Sequence, residues 1–494
     1  MRQGTPADSY TFTLLRRWMT GAGTLHAQLA AAIRDRISGG EIAQGSRLPA
    51  ERVLAGGLGV SRTTVSKAFQ MLEQEGWLAL RPGSGAWVRR PATLSERDAG
   101  SPANGTPTTQ MLFHSLIDIP AVSIDFSVAS GPVLPVVPEC VGGLTAADIG
   151  LLAAGPGYQP HGLRMLWRAV AARFDELGVP TDEEQILITG GAQQAIHLLA
   201  GLYLRPGDAA LVESPTYPGA IDAFRASGAQ LFALPVATTG ISVDRLRALL
   251  ARIAPRLIYL TPTYQNPTGG VMPVETRRVI ARLAMEHQAL VLEDLTLADI
   301  AISSEPVPPP IAAFAPDGPI LAVDSISKLF WNGLRVGWVR APASVIARLI
   351  RVKAVADLGS SLVSQVIAAR LLPQTADAQR ERQQVLVERL ERLTALLGAL
   401  LPSWAWQRPA GGNSLWVRLP AGDAAEFARV ALGHGVTIVP GTLFSVDGGH
   451  ERFLRLPFVL DPDALEVGVR RLAEVWGGYI PSLTTLSEPP RIVV

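Results

Sequence analysis

The stretch Ser325-Ile326-Ser327-Lys328-Leu329-Phe330-Trp331-Asn332-Gly333-Leu334-Arg335-Val336-Gly337-Trp338 sets one lysine among two hydroxyls and an arginine. In this chain that lysine stands out. Of the 44 Lys+Arg residues only Lys67, Lys328 and Lys353 are lysines, so wherever a general cation suffices the sequence uses arginine. Only the lysine amine gives up its proton readily and forms a Schiff base with a carbonyl. A surface lysine is the plainer alternative, but this chain rarely spends lysine that way.

On either side of this stretch, short apolar runs alternate with helical patterns. Gln185–Thr189, Ala209–Val212, Leu257–Leu260, Leu290–Leu292 and Ile320–Val323 read as buried parallel strands. That alternation predicts an α/β domain. After about Ala341, a long helical stretch at Gln379–Leu400 leads to Ser414–Leu419 and Phe453–Leu456, which predicts a smaller α+β part. With 494 residues the chain exceeds one hydrophobic core. A hydrophobic fraction of 48% and a charged fraction of 18% fit a globular protein. No apolar run approaches the roughly 18 residues of a membrane span. The first 20 residues lack a secretion-signal pattern. A lone cysteine, Cys140, forms no intrachain disulfide, so a reducing cytoplasm is expected. No metal is expected.

The N-terminal part differs in kind. Residues 1–92 hold 12 Lys+Arg and 6 Asp+Glu, leaving −5 on the rest of a chain of net charge +1. A basic head suggests a polyanionic partner, although six charges on a small domain are also ordinary. Leu25, Leu29, Ile33 and Ile37 recur at intervals of four and predict a helix between Thr24 and Gly39-Gly40. A short helix fits Pro49 to Leu58. A third runs from the N-cap Ser61 to Glu75, with Val65, Ala68, Phe69 and Leu72 inward, and Gly76 stops it. Trp77–Leu80, the turn Pro82-Gly83-Ser84-Gly85 and Ala86–Val88 predict a hairpin, and so a winged helix-turn-helix. Pro91 to about Gln110 is rich in Ser, Thr, Pro, Gly, Ala and Asn and reads as a linker.

Gly45-Ser46-Arg47-Leu48-Pro49-Ala50-Glu51-Arg52, Gly59-Val60-Ser61-Arg62-Thr63-Thr64-Val65 and Arg81-Pro82-Gly83-Ser84-Gly85 together resemble the GntR-type winged helix. A recognition helix presents its first turn to the major groove, and Arg62, Thr63 and Thr64 occupy that turn. Lys67 and Arg52 are further phosphate or base contacts, and Gly83 and Gly85 let the wing tip approach the minor groove. Taken singly, each would more simply be a surface charge or a cap.

The lysine stretch resembles the cofactor-binding motif of fold-type I aminotransferases, in which the lysine carries pyridoxal 5′-phosphate. The resemblance implies Lys328 as the Schiff-base residue and Ser325, Ser327 and Arg335 as phosphate ligands; Asn332 stands where the family usually has proline. Gly190-Gly191-Ala192-Gln193 offers the amides of Gly191, Ala192 and Gln193 to the phosphate. Tyr217 matches the aromatic residue over the cofactor ring, and Asn266 the partner of the ring 3′-oxygen. Asp294 matches the acid that keeps the pyridine nitrogen protonated. Two residues further on, Thr296 takes the place of a tyrosine that touches the 3′-oxygen in related regulators. Arg455 matches the arginine that grips a substrate carboxylate. Tyr217 as packing, Asn266 as a turn residue, Asp294 as a helix cap and Arg455 as a structural ion pair are the ordinary alternatives.

The pairing resembles the MocR/GabR-like subfamily of GntR-type transcription regulators over about residues 22–90 and 120–478. The implied architecture is multidomain. A winged helix-turn-helix at 22–90 is followed by a linker at 91–117. An aminotransferase-like body spans 118–480, with a large parallel-type sheet part at about 145–340 and a small α+β part at about 341–480; a tail covers 481–494. The resemblance implies double-stranded operator DNA as partner, a head-to-tail homodimer, and an amino acid or amine effector that displaces the lysine to form an external aldimine and shifts the body between conformations. A working aminotransferase carrying a DNA-binding head, with full or half-transamination, is the second reading. A body that serves only as a dimerisation platform is the third.

Overall fold

The computed structural model describes residues 18, 24–38, 48–74, 77–81, 85–88, 124–237 and 240–479. The expected linker, the C-terminal tail, the stops at Gly39-Gly40 and Gly76, and Gly83 of the wing turn lie outside the described residues. The chain divides into a unit up to Asn104 and a unit from Gly105.

In the first unit, helices α1 (Leu25–Ser38), α2 (Glu51–Leu58) and α3 (Arg62–Gln74) precede an antiparallel hairpin of β1 (Leu78–Arg81) and β2 (Gly85–Val88). The interval-of-four face of α1 and the inward face of α3 meet: Leu29, Ile33, Val65, Ala68 and Leu72 are all within 1% of complete burial. Gly59 closes α2 at φ 68°, a left-handed conformation that glycine reaches without steric cost, and its N–H bonds the Ala55 carbonyl. The turn between α2 and α3 is therefore set by one glycine.

The second unit is built on an eight-stranded sheet. Its strands are β4 (Ile186–Thr189), β5 (Ala209–Ser214), β6 (Gln230–Ala237), β7 (Gly240–Ile241), β8 (Leu257–Leu260), β9 (Leu290–Asp294), β10 (Ile320–Ser325) and β11 (Gly337–Arg340), in the order β4-β11-β10-β9-β8-β5-β6-β7. The ladders from β10 through β9, β8 and β5 to β6 are parallel. The sheet as a whole is mixed, because β11 pairs antiparallel with both β10 and β4. Gln185–Thr189, read as one of the parallel set, is therefore bonded only through an antiparallel neighbour. Alternate residues serve opposite cores. Ile188, Leu211 and Ile258 pack on one face, and Leu187, Val212 and Tyr259 on the other, which is why these strands read as unbroken apolar runs.

The smaller part carries a four-stranded antiparallel sheet: β12 (Ala405–Trp406), β13 (Ser414–Arg418), β16 (Phe453–Pro457) and β15 (Val439–Pro440), in that spatial order. Helices Thr375–Leu400 and Pro462–Gly478 pack with it in one core around Leu390, Leu415 and Leu472. A short strand, β3 (Ile124–Asp125), pairs in parallel with β14 (Val436–Thr437), so the start of the body is laced to its small part.

Candidate functional site

In the first unit, Ser61 caps α3 by accepting the Thr64 N–H at 3.1 Å. Arg62, Thr63 and Lys67 are exposed on α3, and Arg52 is exposed on α2. Arg62 leaves 73% of its side chain in solvent while its Nε donates to Glu51 at 3.2 Å. Thr64 is turned back, its hydroxyl 2.8 Å from that of Ser61. Gly85 opens β2.

In the second unit, strand register assembles the site. Thr189, Gly337 and Ser325 lie side by side across β4, β11 and β10, and Asp294 lies beside Val323. The cradle forms at the carboxyl ends of the parallel strands, where open α/β sheets bind ligands. Beyond β4, Gly191 at φ 111° is the N-cap of helix α4 (Ala192–Tyr203). Gln194 already donates its amide to the Gly191 carbonyl at 3.1 Å, which leaves the amides of Ala192 and Gln193 without an intrahelical acceptor and suited to an anion. Arg335 reaches across, its Nη2 donating to the Gly190 carbonyl at 2.8 Å. The fit is close: a Cβ on Gly191 would lie 2.9 Å from Arg335 Nη2, and one on Gly337 would lie 2.8 Å from the Gly191 backbone. Ser325 Oγ lies 2.8 Å from Ser327 Oγ and donates to the Val336 carbonyl at 2.8 Å.

A network beneath this seat was not visible in the sequence. The Gly190 N–H donates to Gln194 at 2.7 Å, Gln194 donates to Asp357 at 2.8 Å, and Lys353 donates to both oxygens of Asp357 at 2.7 and 2.8 Å. Burial alone would raise the Asp357 carboxyl, but Lys353, Gln194 and the Gly359 N–H hold it below its ordinary value. The second rare lysine is thus a fully buried structural cation.

Lys328 is half-buried and donates to the Ala129 carbonyl at 2.8 Å. Burial, then the charges of Arg455 and Arg335, lowers its amine to about 8, against the opposing pull of Asp294. Arg382, also buried, donates to the carbonyls of Leu329 and Phe330 and fixes the backbone that follows the lysine. Asp294 is held at both oxygens. Tyr259 donates to Oδ2, and the Thr296 N–H and hydroxyl donate to Oδ1 at 2.9 and 2.7 Å. Burial raises the Asp294 carboxyl, and these donors with Lys328 oppose that rise. The Thr296 hydroxyl therefore serves the acid two residues before it. Tyr259 was missed because a single tyrosine in Leu257–Leu260 reads as core.

Tyr217 caps the helix Pro218–Ala226, and burial pushes its phenol up to about 12, so it stays protonated. Asn266 is half-buried in a loop braced by Gln265, which donates to the Pro215 carbonyl at 2.6 Å and accepts from the Thr268 hydroxyl at 2.8 Å. Arg455 is only 7% exposed. It donates to the Ser127 carbonyl and lies 5.4 Å over the Phe444 ring, and its buried Nε has no partner among the described residues. Asn413 donates to the same Ala129 carbonyl as Lys328, at 2.9 Å.

These residues fit pyridoxal phosphate. A glycine cradle with hydroxyls and an arginine suits its phosphate, a lowered amine its aldehyde, a held acid its ring nitrogen, and an orphaned guanidinium N–H a carboxylate. Among the described residues no group of His, Cys, Asp and Glu is arranged to hold a metal, and no helix is long and apolar enough to cross a membrane.

Comparison with known proteins agrees with both units. Residues 156–472 match the family "Aminotransferase class I and II", and residues 25–88 match "Bacterial regulatory proteins, gntR family". The chain is 30% identical to the uncharacterized HTH-type transcriptional regulator YisV of Bacillus subtilis, over 91% of this chain and 95% of that protein. It is 27% identical to the probable rhizopine catabolism regulatory protein MocR of Rhizobium meliloti, over 84% and 86%. The crystal structure of LysN, the alpha-aminoadipate aminotransferase of Thermus thermophilus, superposes with a TM-score of 0.67 at 30% identity, covering 77% of this chain and 97% of LysN. The family of the body implies pyridoxal phosphate, and that of the head implies DNA binding. The chain belongs to the class I and II aminotransferases and, with its GntR-family head, to the MocR-like transcription regulators.

Proposed function

We propose that this regulator carries pyridoxal phosphate on Lys328 and uses it to sense an amino acid or amine, while its head holds double-stranded operator DNA in the cytoplasm, as a head-to-tail homodimer. The observation that carries the reading is the lowered Lys328 amine at the carboxyl ends of the large sheet, with Asp294 and Arg335 beside it and Arg455 reaching it from β16 of the smaller sheet. When bound, the cofactor supplies an aldehyde that condenses with amines and a ring that withdraws electrons.

The chain's own groups then have distinct tasks. The first-turn amides of Gly191, Ala192 and Gln193, the hydroxyls of Ser325 and Ser327, and Arg335 seat the phosphate. Asp294, held by Tyr259 and Thr296, stays oriented toward the ring nitrogen. Tyr217 and Asn266 bound the ring. Lys328, closer to neutral than an ordinary lysine, is the nucleophile, and an effector amine competes with it. Arg455 takes the effector's carboxylate as a planar fork. In the head, Arg62 and Thr63 contact base edges, Thr64 braces their turn through its cap contact, and Arg52, Lys67 and the wing glycines Gly83 and Gly85 contact the backbone. Effector binding that favours one arrangement of the body shifts the population of head arrangements.

Because Asn266, Asp294, Lys328 and Arg455 are all in place, turnover as an aminotransferase is the second reading. One experiment separates them: absorbance scans of the protein and of Lys328→Ala, with amino acids titrated into each. A visible band confined to the parent and shifted by one class of amino compound supports sensing. Steady keto-acid release in the same cuvette favours the enzyme. No band after adding pyridoxal phosphate sinks both and leaves the body a scaffold.

A further inference from the structure

The amino-terminal ends of the parallel strands, opposite the Lys328 cradle, carry a second cavity of about 630 Å³. Its walls come from residues just before or at the starts of β5, β8, β9 and β10, among them Arg205, Arg256, Leu290 and Leu321. Its size falls within the roughly 300–1,000 Å³ of small-molecule sites.

The charge around it is one-sided. Some exposed arginines elsewhere on the body face acids, as Arg164 and Arg168 face Glu183 and Arg392 and Arg470 face Glu466, and others, such as Arg245 and Arg429, make no ion pair among the described residues; the cavity gathers three of the second kind. The three arginines of the cavity, Arg205, Arg256 and Arg348, are exposed and make no ion pair among the described residues. The Arg205 guanidinium donates only to two main-chain carbonyls, at 3.2 and 3.1 Å, while Asp208 is taken up by the Arg205 main-chain N–H. Arg348 lies 5.7 Å over the Tyr203 ring. The single acid of the lining, Asp317, acts on the buried Arg340. Three guanidinium forks around one concavity, on a body whose remaining charge is negative, make a local field that favours a ligand with at least two negative charges. Beneath the forks, Leu290, Leu321 and the ring of Tyr203 offer apolar contact.

We propose that this cavity is a second ligand site, taking a small phosphorylated compound with a flat apolar part. Concavity favours a small molecule over a nucleic-acid backbone. Binding is independent of the Lys328 cradle, because the two lie at opposite ends of the strands.

The test uses full-length protein saturated with pyridoxal phosphate, which blocks the first phosphate seat, and isothermal titration with adenosine diphosphate, pyrophosphate and adenosine. Adenosine diphosphate is expected to bind once per chain, more tightly than adenosine. The double variant Arg256→Ala/Arg348→Ala should weaken it by about tenfold or more, the scale of lost charge-assisted hydrogen bonds. A charge-matched control, Arg245→Ala/Arg429→Ala, should leave binding unchanged, with the cofactor absorbance intact in both. The proposal fails if neither phosphate compound saturates, if the control loses as much as the double variant, or if the double variant binds as well as the parent. It also fails if adenosine diphosphate and pyridoxal phosphate displace one another. Weakened operator binding with unchanged nucleotide binding would reassign the arginines to DNA and overturn it as well.

Discussion

The two arginines proposed to meet ligands, Arg62 in the head and Arg455 in the body, sit in opposite surroundings. Arg62 keeps 73% of its side chain in water and leans on one acid at 3.2 Å. Arg455, only 7% exposed as a whole residue, is lowered to about 10 mainly by burial, and its Nε has no partner among the described residues. An exposed charge is screened by salt and gains modestly from each contact, whereas a buried one meets little screening and depends strongly on what it pairs with. If the proposed contacts hold, the head would read its partner through many replaceable contacts, and the body through a few that are not.

The largest way to break this contrast is Lys328→Ala. It should abolish covalent cofactor loading, seen as loss of the visible band, while operator affinity measured by fluorescence anisotropy stays within a factor of about two. A parallel collapse of DNA binding would mean that the head depends on the loaded body for more than its arrangement. Next, Arg455→Ala should lower the affinity for an α-amino carboxylate by about a hundredfold, as expected for a charge-assisted bidentate contact. It should leave a carboxylate-free amine almost unaffected. Equal losses for both would remove the carboxylate role.

Arg62→Ala should cost operator binding about 1–3 kcal/mol, with the cofactor spectrum unchanged. Raising the salt should weaken operator binding steeply and effector binding little. Unchanged DNA affinity would displace α3 as the reading helix.

A smaller effect concerns pH. Lys328 sits at about 8 in the folded chain against an ordinary 10.5. Between those values the unfolded chain holds more protons at this site, so the cofactor-free protein should gain stability as pH rises through that window. Below it both states are protonated and the full burial penalty applies. The urea midpoint should climb with pH in the parent and lose that increment in Lys328→Met. Smallest of all, Asp357→Asn should loosen the Gly190 loop and weaken cofactor affinity a few-fold, by analogy with other outer supports of a ligand site.

What was legible in the sequence follows chemistry that no other residue type performs. Lys328 stood out because this chain spends lysine so rarely and only an amine forms a Schiff base, while Arg335 and Arg455 were legible only through their place in motifs that resemble the aminotransferases. Leu257–Leu260 and the inward face of α3 were legible because burial on both faces, or on one, leaves a pattern in hydrophobicity. The strand β11 went unread as a strand because it is the tail of a motif, and four residues carry no periodicity of their own. The antiparallel pairing of β4 was hidden because an apolar run does not encode the direction of its neighbour. Lys353, Asp357 and Gln194 meet across more than 150 residues, and each alone resembles a surface polar group. The Thr296 contact was hidden because a threonine hydroxyl can serve its own backbone neighbourhood as easily as a ligand.

Phe126 to Ala129 are held to the site by oxygens of the main chain: Ser127 offers its carbonyl to Arg455, and Ala129 offers its own to both Lys328 and Asn413. A carbonyl is the same in every amino acid. Alanine at Val128 would leave both carbonyls in place and read as silence, whereas Phe126→Ala would empty a fully buried core position and disturb the packing itself. The attachment can be cut only at its donors, and two of those three are the residues assigned to meet the effector. Mutational silence at Val128 would thus mark a point of firm attachment held through the main chain on either side of it.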